Sequence, residues 1–294
     1  MHDKILITGA TGNVGRAILK HINTSHLDIS AGVRDIDRAR RQLNRDDISY
    51  VRFDIEDRIG FEKLNEFSGI FLIRPPQIAN VPKYFQPLIE RIASASVSRL
   101  VFLSVQGAEK MSYIPHSKIE KLIADRGLPY VFLRPSYFMD NLLTTLADEL
   151  RRNKRIYLPS GRLRFNWINV DDIGKAAAKL FMDPTVELKR AYTLTNVVNY
   201  GFAEIVQRIN ALCGTAFRYV SPDPFSFIYT MRKRGKSFGY IGVLLLLHFL
   251  PRFGKEFEIS ADYPTLTGES PHSIDDFILT HINIFQSLYK EAVS

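Results

Sequence analysis

Three glycines, Gly9, Gly12 and Gly15, stand at a spacing of three residues directly after an apolar run, where a helical pattern begins. The first glycine would allow a sharp turn off a strand, the second a close approach of backbone to a phosphate, and the third close contact between helix and strand. The helix that follows would present amides without intrahelical partners and a positive dipole end, which suit a pyrophosphate. The pattern predicts a dinucleotide-binding turn, with a purely structural turn as the alternative.

Two arginines, Arg34 and Arg38, follow the second apolar run. A site that prefers NAD usually carries an acid there, about 20 residues beyond the glycines, to bind the ribose hydroxyls. A helix starting at this place would bring both guanidinium groups toward a 2′-phosphate, for which the forked donors of arginine are suited. Asp35 is the competing feature, because a shift of one residue in the turn would put a carboxylate at the ribose. We expect NADP(H) to be favoured over NAD(H).

Motifs for other chemistries are absent from the sequence. The segment that ends in Lys236 and Ser237 has Thr230 where a phosphate-binding loop of the Walker type needs its first glycine. HExxH and GxSxG do not occur, and Cys213 is the single cysteine, so there is no CxxC pair or thiolate cage. The sequence therefore predicts nucleotide binding and no metal site.

His116 is expected at the start of the fifth helix that connects two strands, beside an apolar stripe made by Ile119 and Ile123. Its side chain can point toward the cofactor. As a group that titrates near neutrality, it could bind the nicotinamide ribose or carboxamide, or donate a proton to a reduced quinone. The alternative is a histidine near the helix cap that is bonded to the backbone.

Six short apolar runs alternate with helical segments between Lys4 and about Arg134. Continuous runs of this kind are typical of strands covered on both faces, and helical spacers imply right-handed crossovers. The sequence predicts an α/β fold with a doubly wound parallel sheet and a smaller C-terminal α+β lobe. The runs are KILIT, DISAGV, ISYVRF, GIFLI, RLVFLS and YVFLR.

The pattern changes after Pro135, and no linker separates the parts. We assign residues 1–135 to a nucleotide-binding domain, to which a helix and a strand return from about 136–182, and residues 183–294 mainly to a substrate or lid lobe. The segments that follow predict a long helix over 136–153 and strand-like pieces over 155–170. They also predict a helix over 171–181, with Asp171 or Asp172 at its cap, and a last helix from about Ser273.

Charge and hydropathy limit the partners. The net charge is +8, but the basic clusters are dispersed and no nucleic-acid-binding module accompanies them, so no nucleic-acid partner is expected. The most apolar run, Phe238 to Leu250, is well short of the roughly 20 residues of a membrane span and is interpreted as a core or lid helix. The single cysteine, and the strand pattern that begins by Lys4 without a leader, favour a cytoplasmic location.

Aromatic side chains after the sixth apolar run are candidates for one wall of a substrate site. Tyr137, Phe138 and Asn141 lie close together in the sequence, and Trp167 follows. Flat apolar rings stack well on such walls, although each side chain alone could equally belong to the core.

The glycine turn GATGNVG, Arg34, and the segments LVFLSVQGAE, GLPYVFLRPSYFMDNLL and WINVDDIGKAAAKLF, in this order, resemble the NmrA-like family of atypical short-chain dehydrogenases. Within that family the chain looks most like the type-2 NAD(P)H:quinone oxidoreductases. The resemblance implies a Rossmann domain and a small C-terminal lobe with the active cleft between them. By position, the resemblance implies that the pyrophosphate is bound by Gly9, Thr11, Gly12, Asn13, Val14 and Gly15. It implies that Arg34 binds the adenosine phosphate and that Asp54 lies near the adenine. The ribose and nicotinamide side would be lined by Ile73, Arg74 and Ser104.

One departure from the broader dehydrogenase pattern affects the function. A typical short-chain dehydrogenase uses YxxxK, whereas Tyr113 precedes Lys118 by five residues here. His116 occupies the place of a lysine in the isoflavone-reductase branch, and the quinone-reductase branch also has histidine there. Two hypotheses follow: an NADPH-dependent reductase of a quinone or another conjugated apolar acceptor, or a redox sensor that binds NADP(H) without chemistry and signals to a regulatory protein partner. A homodimer is compatible with either.

Overall fold

The computed structural model describes residues 3–290. Within them the strands are β1 Asp3–Thr8, β2 Leu27–Val33, β3 Ser49–Arg52, β4 Gly69–Ile73, β5 Arg99–Leu103, β6 Tyr130–Pro135, β7 Tyr137–Phe138, β8 Arg155–Tyr157, β9 Arg164–Ile168, β10 Arg190–Leu194, β11 Asn199–Gly201 and β12 Arg218–Val220. The α-helices are α1 Asn13–His21, α2 Ile36–Leu43, α3 Val81–Ala93, α4 Pro115–Asp125, α5 Ala147–Asn153, α6 Val170–Met182, α7 Phe202–Cys213, α8 Pro224–Lys233, α9 Phe238–His248, α10 Asp262–Thr267, α11 Ile274–Thr280 and α12 Ile282–Lys290. Short 3₁₀ helices span Phe61–Glu66, Ala108–Lys110, Met139–Leu142 and Leu250–Phe253.

The chain divides into two compact units. The first comprises Met1–Ser136, Val170–Leu194 and Ala261–Ser270, and the second comprises Tyr137–Asn169, Thr195–Ser260 and Pro271–Ser294. This division differs from the boundaries predicted from the sequence. Residues 137–169, which the prediction returned to the nucleotide-binding domain, lie in the second unit, and residues 183–194, which it assigned to the other lobe, lie in the first.

The first unit is built on a seven-stranded sheet in the order β10-β6-β5-β4-β1-β2-β3. All its strand pairs are parallel. β1 pairs with both β2 and β4, so the strand order reverses direction between β1 and β4. The predicted doubly wound parallel sheet is confirmed, and so are all six strands predicted from apolar runs.

β10 was not predicted. It lies at the edge of the sheet, beside β6, and its burial alternates, with Tyr192 and Leu194 buried and Ala191 and Thr193 half-buried. An edge strand is covered less completely than a central one, so it has no continuous apolar run to reveal it.

The helix predicted over residues 171–181 is α6, and it crosses α1 closely. A Cβ atom at Gly174 would lie 2.4 Å from the Cβ of Ala17, so glycine permits this approach. The prediction that Asp171 or Asp172 caps the helix is wrong, because α6 begins at Val170. Asp171 instead pairs with Lys20 at 2.8 Å, and buried Asp172 accepts a hydrogen bond from the hydroxyl of Tyr263 in α10 at 3.1 Å.

The second unit contains a three-stranded sheet, in the order β11-β9-β7, and the parallel pair β12-β8. The long helix predicted over residues 136–153 is wrong. Tyr137 and Phe138 form β7 and pair with Trp167 and Ile168 of β9, and only Ala147–Asn153 is α-helical. The buried leucines of this segment repeat at helical spacing, but strand pairing determines the backbone at its start.

The C-terminal region agrees in part with the sequence. Ser273 caps α11, accepting from the amide of Asp276 at 3.1 Å, so the predicted start of the last helix is confirmed. The predicted single helix is two, since α11 ends at Thr280 and α12 begins at Ile282. The Leu-rich run forms α9, so the expected helix is confirmed, and its role as a core or lid helix stays a prediction. No helix within residues 3–290 is long and apolar enough to cross a membrane.

Candidate functional site

The turn between β1 and α1 has the geometry predicted from its glycines. Gly9 has φ +63°, and a Cβ atom there would lie 2.6 Å from Cγ2 of Ile73. A Cβ atom at Gly15 would lie 2.4 Å from the carbonyl oxygen of Gly9. The amide of Gly12 closes the turn by donating to that same carbonyl oxygen at 2.9 Å. Side chains at the first and third glycine are therefore incompatible with this turn.

The first turn of α1 presents free hydrogen-bond donors. Gly12 is the N-cap residue and has no side chain to cap the helix, and the first turn carries no acidic residue. The first intrahelical donor is the amide of Arg16, which donates to the carbonyl oxygen of Gly12 at 2.9 Å, so the preceding amides of Asn13, Val14 and Gly15 have no intrahelical acceptor. Gly12 and Asn13 are exposed and Thr11 is half-buried, whereas the side chain of Val14 is buried, so Val14 can contribute only its amide. This arrangement suits an anion.

Thr8 supports the turn and was not identified from the sequence. Its buried hydroxyl donates to the carbonyl oxygen of Phe71 at 2.9 Å and accepts from the amide of Ile73 at 3.0 Å. It therefore joins the carboxyl ends of β1 and β4, where the strand order reverses. A polar residue at the end of an apolar strand, immediately before Gly9, was the available signal.

Arg34 and Arg38 are exposed at the carboxyl end of β2 and the start of α2. Within residues 3–290 neither guanidinium group has a hydrogen-bonding or ion-pair partner. Asp35 is the N-cap of α2, and its carboxylate accepts from the amide of Arg38 at 2.9 Å. The carboxylate that competed for the ribose is thus engaged by the helix, while both arginines are available to an anionic group.

Asp54 follows β3 and holds its own turn. Its Oδ1 accepts from the amides of Glu56 at 2.8 Å and Asp57 at 3.4 Å, and its backbone bridges to Ile59. Asp54 is half-buried. The position near an adenine that the family resemblance implies for it stays a prediction.

Arg74 and His116 form a pair that the sequence did not predict. Nη1 of Arg74 donates to the carbonyl oxygens of Pro75, Pro76 and Ile78 in its own loop, at 2.8–3.1 Å. Its Nε donates to Nε2 of His116 at 3.3 Å. The imidazole therefore accepts through Nε2, which requires the neutral tautomer with its proton on Nδ1.

The electrostatics of this pair correct the expectation for His116. Burial, together with the positive charge of Arg74, lowers the pKa of His116 to about 3. The expectation that His116 titrates near neutrality is wrong, and at neutral pH the ring has no second proton to donate. The expected place at the start of a helix is confirmed, since His116 is the second residue of α4 and Ile119 and Ile123 are buried. Its possible roles reduce to contact with a ligand or positioning of Arg74.

Ser104 directly follows β5 and is 2% exposed. Its hydroxyl has no hydrogen-bonding partner within residues 3–290. Its amide donates to the carbonyl oxygen of Leu133 at 2.7 Å, which fixes the backbone beside β6. Buried hydroxyls are normally hydrogen-bonded, so an orphaned one at a strand end suits a polar ligand.

The aromatic candidates lie in the second unit and separate into two groups. Trp167 is fully buried and donates from Nε1 to the carbonyl oxygen of Tyr200 at 2.9 Å, so the expectation that it lines a substrate site is wrong. Tyr137, Phe138 and Asn141 are half-buried and stay candidates.

His248, at the end of the Leu-rich helix α9, is a neighbour of Tyr137 that sequence reasoning missed. The Tyr137 hydroxyl lies 3.2 Å from Nε2 of His248, whose Nδ1 lies 2.9 Å from the carbonyl oxygen of Leu244. Burial lowers the pKa of His248 to about 4 and raises that of Tyr137. A neutral imidazole that donates from Nδ1 and accepts at Nε2 satisfies both contacts. The rings of Phe165, Trp167 and Phe202 surround Tyr137.

The predicted residues of the first unit converge at one edge of the sheet. The glycine turn follows β1, Arg34 follows β2, Asp54 follows β3, Arg74 follows β4 and Ser104 follows β5. The carboxyl ends of parallel strands meet at the same edge, and ligands of open α/β sheets bind at the point where strand order reverses. In the part of the chain that the structure describes, uncapped amides, two guanidinium groups without partners and one hydroxyl without a partner lie at this edge, and such donors fit a dinucleotide. The fold and the site thus define a Rossmann-type α/β protein.

Comparison with known proteins agrees with this class. The sequence profile of the NmrA-like family matches residues 1–231, and the chain belongs to that family. It is 28% identical over 276 residues to the Prestalk A differentiation protein A of Dictyostelium discoideum, covering 93% of this chain and 90% of the relative. It is also 28% identical over 225 residues to the NAD(P)H azoreductase of Xenophilus azovorans, covering 74% and 76%.

A solved structure shares the fold. The NADPH-dependent quinone oxidoreductase of Escherichia coli, complexed with NADPH, superposes with a TM-score of 0.80 at 19% identity, covering 95% of this chain and 99% of that one. The profile match, and not this likeness of fold, confirms the family resemblance drawn from the sequence.

Proposed function

We propose that the protein is an NADPH-dependent reductase of a quinone or a similar conjugated apolar acceptor. The observation that carries the proposal is the uncapped glycine turn next to two arginines whose guanidinium groups have no partner within residues 3–290. β1 and β2 are neighbours in the sheet, so the turn after one and Arg34 after the other lie on adjacent strand ends. A dinucleotide with a phosphate on its ribose supplies negative charge for both features.

Each residue has a distinct part in this proposal. The amides of Asn13, Val14 and Gly15 bind the pyrophosphate, and Arg34 and Arg38 bind the 2′-phosphate. The Ser104 hydroxyl, which lacks a partner in the described chain, bonds a polar group on the nicotinamide side. The family resemblance adds six further positions that line the cofactor: Gly9, Thr11, Gly12, Asp54, Ile73 and Arg74.

His116 acts in this proposal by positioning. The neutral imidazole accepts from Arg74 and so orients a guanidinium that three loop carbonyls already hold. When bound, the reduced nicotinamide supplies a hydride. Reduction of a quinone needs little general-acid help because the developing oxyanion is delocalised, so a neutral His116 and the missing YxxxK pair are compatible with the reaction.

The acceptor class is inferred from aromatic side chains and from the relatives. Tyr137 and Phe138 are half-buried rings, and Asn141 adds a polar group; together they suit a flat apolar molecule. The relatives named as an azoreductase and a quinone oxidoreductase support an acceptor with a conjugated system.

The test combines binding and turnover. Arg34→Ala is expected to weaken NADPH binding in calorimetry by about tenfold to a hundredfold, the loss of a hydrogen bond to a charged group, and to leave NADH binding unchanged. Arg41→Ala, which removes an exposed arginine from the last turn of α2, is the matched control. Equal effects of Arg34→Ala on both cofactors would contradict the assignment. Turnover is followed as the loss of NADPH absorbance with a panel of quinones and azo dyes.

A sensor is the second candidate function. It is favoured by the absence of a titrating proton donor at His116 and by the name of the Dictyostelium relative, a differentiation protein. In this case the same residues bind NADP(H) and a conformational change signals to a protein partner. Tight NADPH binding without oxidation by any acceptor of the panel would support the sensor over the reductase.

A further inference from the structure

Helix α9 lacks a polar face. Its sequence, FGYIGVLLLLH, contains no lysine, arginine, aspartate or glutamate. Ile241, Leu244 and His248 are buried, whereas Val243 and Leu247 on the other side of the helix are 52% and 47% exposed. A helix that is apolar all round is normally buried all round. One side of α9 therefore requires a covering partner.

Exposed apolar side chains concentrate around this helix. Of the fifteen large apolar side chains that are exposed within residues 3–290, eight lie between Phe225 and Phe253. Single exposed apolar side chains are ordinary, but a cluster of this kind marks an interaction site. We call these eight the exposed apolar surface: Phe225, Tyr229, Phe238, Tyr240, Val243, Leu247, Leu250 and Phe253.

The same segment is strongly basic. Residues 224–255 contain six lysines and arginines and no aspartate or glutamate. Arg232, in the last turn of α8, lies over the ring of Phe238 at 4.3 Å from the ring centroid. Lys236, between α8 and α9, lies over the ring of Tyr240 at 5.6 Å. Cations thus border the exposed apolar surface directly. The partner must be apolar in its interior and negatively charged at its border.

We propose that the exposed apolar surface docks on an anionic lipid bilayer, with α9 lying along the membrane surface. Aromatic residues at the ends of an apolar helix and a border of lysine and arginine are typical of the interface between headgroups and acyl chains. The eleven residues of α9 measure only about 16 Å against a hydrocarbon core of about 30 Å, so the helix lies on the membrane.

A second copy of the chain fits this surface less well. A twofold contact would place the same patch of each copy against the other. Arg234 already pairs with Glu149 of its own chain, but the other five cations of one segment would then meet the five of its mate, with no carboxylate in either segment to pair with them. An anionic lipid surface supplies the missing charge.

The outer side of α9 is exposed and lies outside the core. The helix is held by its inner side chains, and His248 contacts the Tyr137 hydroxyl and packs near the rings of Phe165 and Phe202. Substitutions at exposed positions of α9 can therefore test docking in a folded protein.

The experiment is sedimentation of the full-length protein with vesicles of phosphatidylcholine alone or mixed with phosphatidylserine. Wild type is expected to sediment with the mixed vesicles only, and Leu247→Glu to abolish sedimentation. Ile284→Glu, at an exposed site of α12 outside the surface, is the matched control and should behave as wild type. Replacing Lys233 and Lys236 together by glutamine should lower the partition coefficient about 25-fold, since each basic residue near an anionic surface contributes about fivefold.

Three results would overturn the proposal. They are the absence of wild-type sedimentation with the anionic vesicles, equal sedimentation of Leu247→Glu and wild type, and a wild-type dimer without lipid binding that Leu247→Glu converts to a monomer. The last result would assign the surface to a second copy. None of these readouts involves NADPH, so docking and the proposed reductase function can fail separately.

Discussion

Replacing His116 with glutamine tests the electrostatic environment at the carboxyl end of the sheet. Glutamine keeps an acceptor for Nε of Arg74 but cannot titrate. In the unfolded chain the imidazole has its ordinary pKa of 6.5, whereas in the folded protein the pKa is about 3. As pH falls between these values the unfolded chain binds a proton that the folded protein does not, so stability is lost. From pH 7 to pH 5 this linkage amounts to about 2 kcal/mol.

The assay is urea unfolding of wild type and His116→Gln at pH 7 and pH 5. At pH 7 we expect similar free energies of unfolding. On acidification wild type should lose about 2 kcal/mol more than the variant. His26→Gln, at an exposed position before β2, is the control and should follow wild type. Equal acid losses in wild type and His116→Gln would refute the inference that a neutral imidazole is buried beside Arg74.

The remaining predictions concern the turn, the aromatic cluster and the helix cap. Gly15→Ala places a Cβ atom 2.4 Å from the Gly9 carbonyl oxygen, and should lower the free energy of unfolding by about 1–3 kcal/mol and weaken NADPH binding. A variant with the melting temperature and the calorimetric NADPH affinity of wild type would contradict this. Tyr137→Phe leaves Nε2 of His248 without its hydroxyl partner and should cost about 1–3 kcal/mol in urea unfolding, whereas no loss would mean that this contact does not stabilise the fold. Asp35→Ala removes the cap of α2 at a cost of about 1 kcal/mol and should leave NADH binding unchanged; weaker NADH binding would instead assign the carboxylate to the ribose.

Much of the sheet could be predicted because its signal is local. Strands covered on both faces need continuous apolar residues, and the buried strands β1, β2, β4, β5 and β6 each contain such a run. The prediction of a helix over residues 136–153 was wrong because the deciding contact is not local. Buried leucines recur there at helical spacing, but pairing of Tyr137 and Phe138 with β9 depends on residues about thirty positions away.

The candidate site likewise has one part that could be predicted from the sequence and one part that could not. The glycine turn could be predicted, since a positive φ at Gly9 and the close approach at Gly15 are demands on single residues that only glycine meets. The state of His116 could not be predicted. It depends on Arg74, which is 42 residues away in sequence and reaches the imidazole only after β4 and β5 have paired.

The sequence by itself determined the class of fold, the family and the conformation of the glycine turn, because these depend on residue types at short spacing. Tertiary structure alone decided which side chains are engaged by others. It left the Ser104 hydroxyl without a partner among residues 3–290, committed Asp35 to a helix cap and buried Trp167. Burial and hydrogen bonding are properties of neighbours in space, and chain segments far apart in sequence become neighbours only on folding.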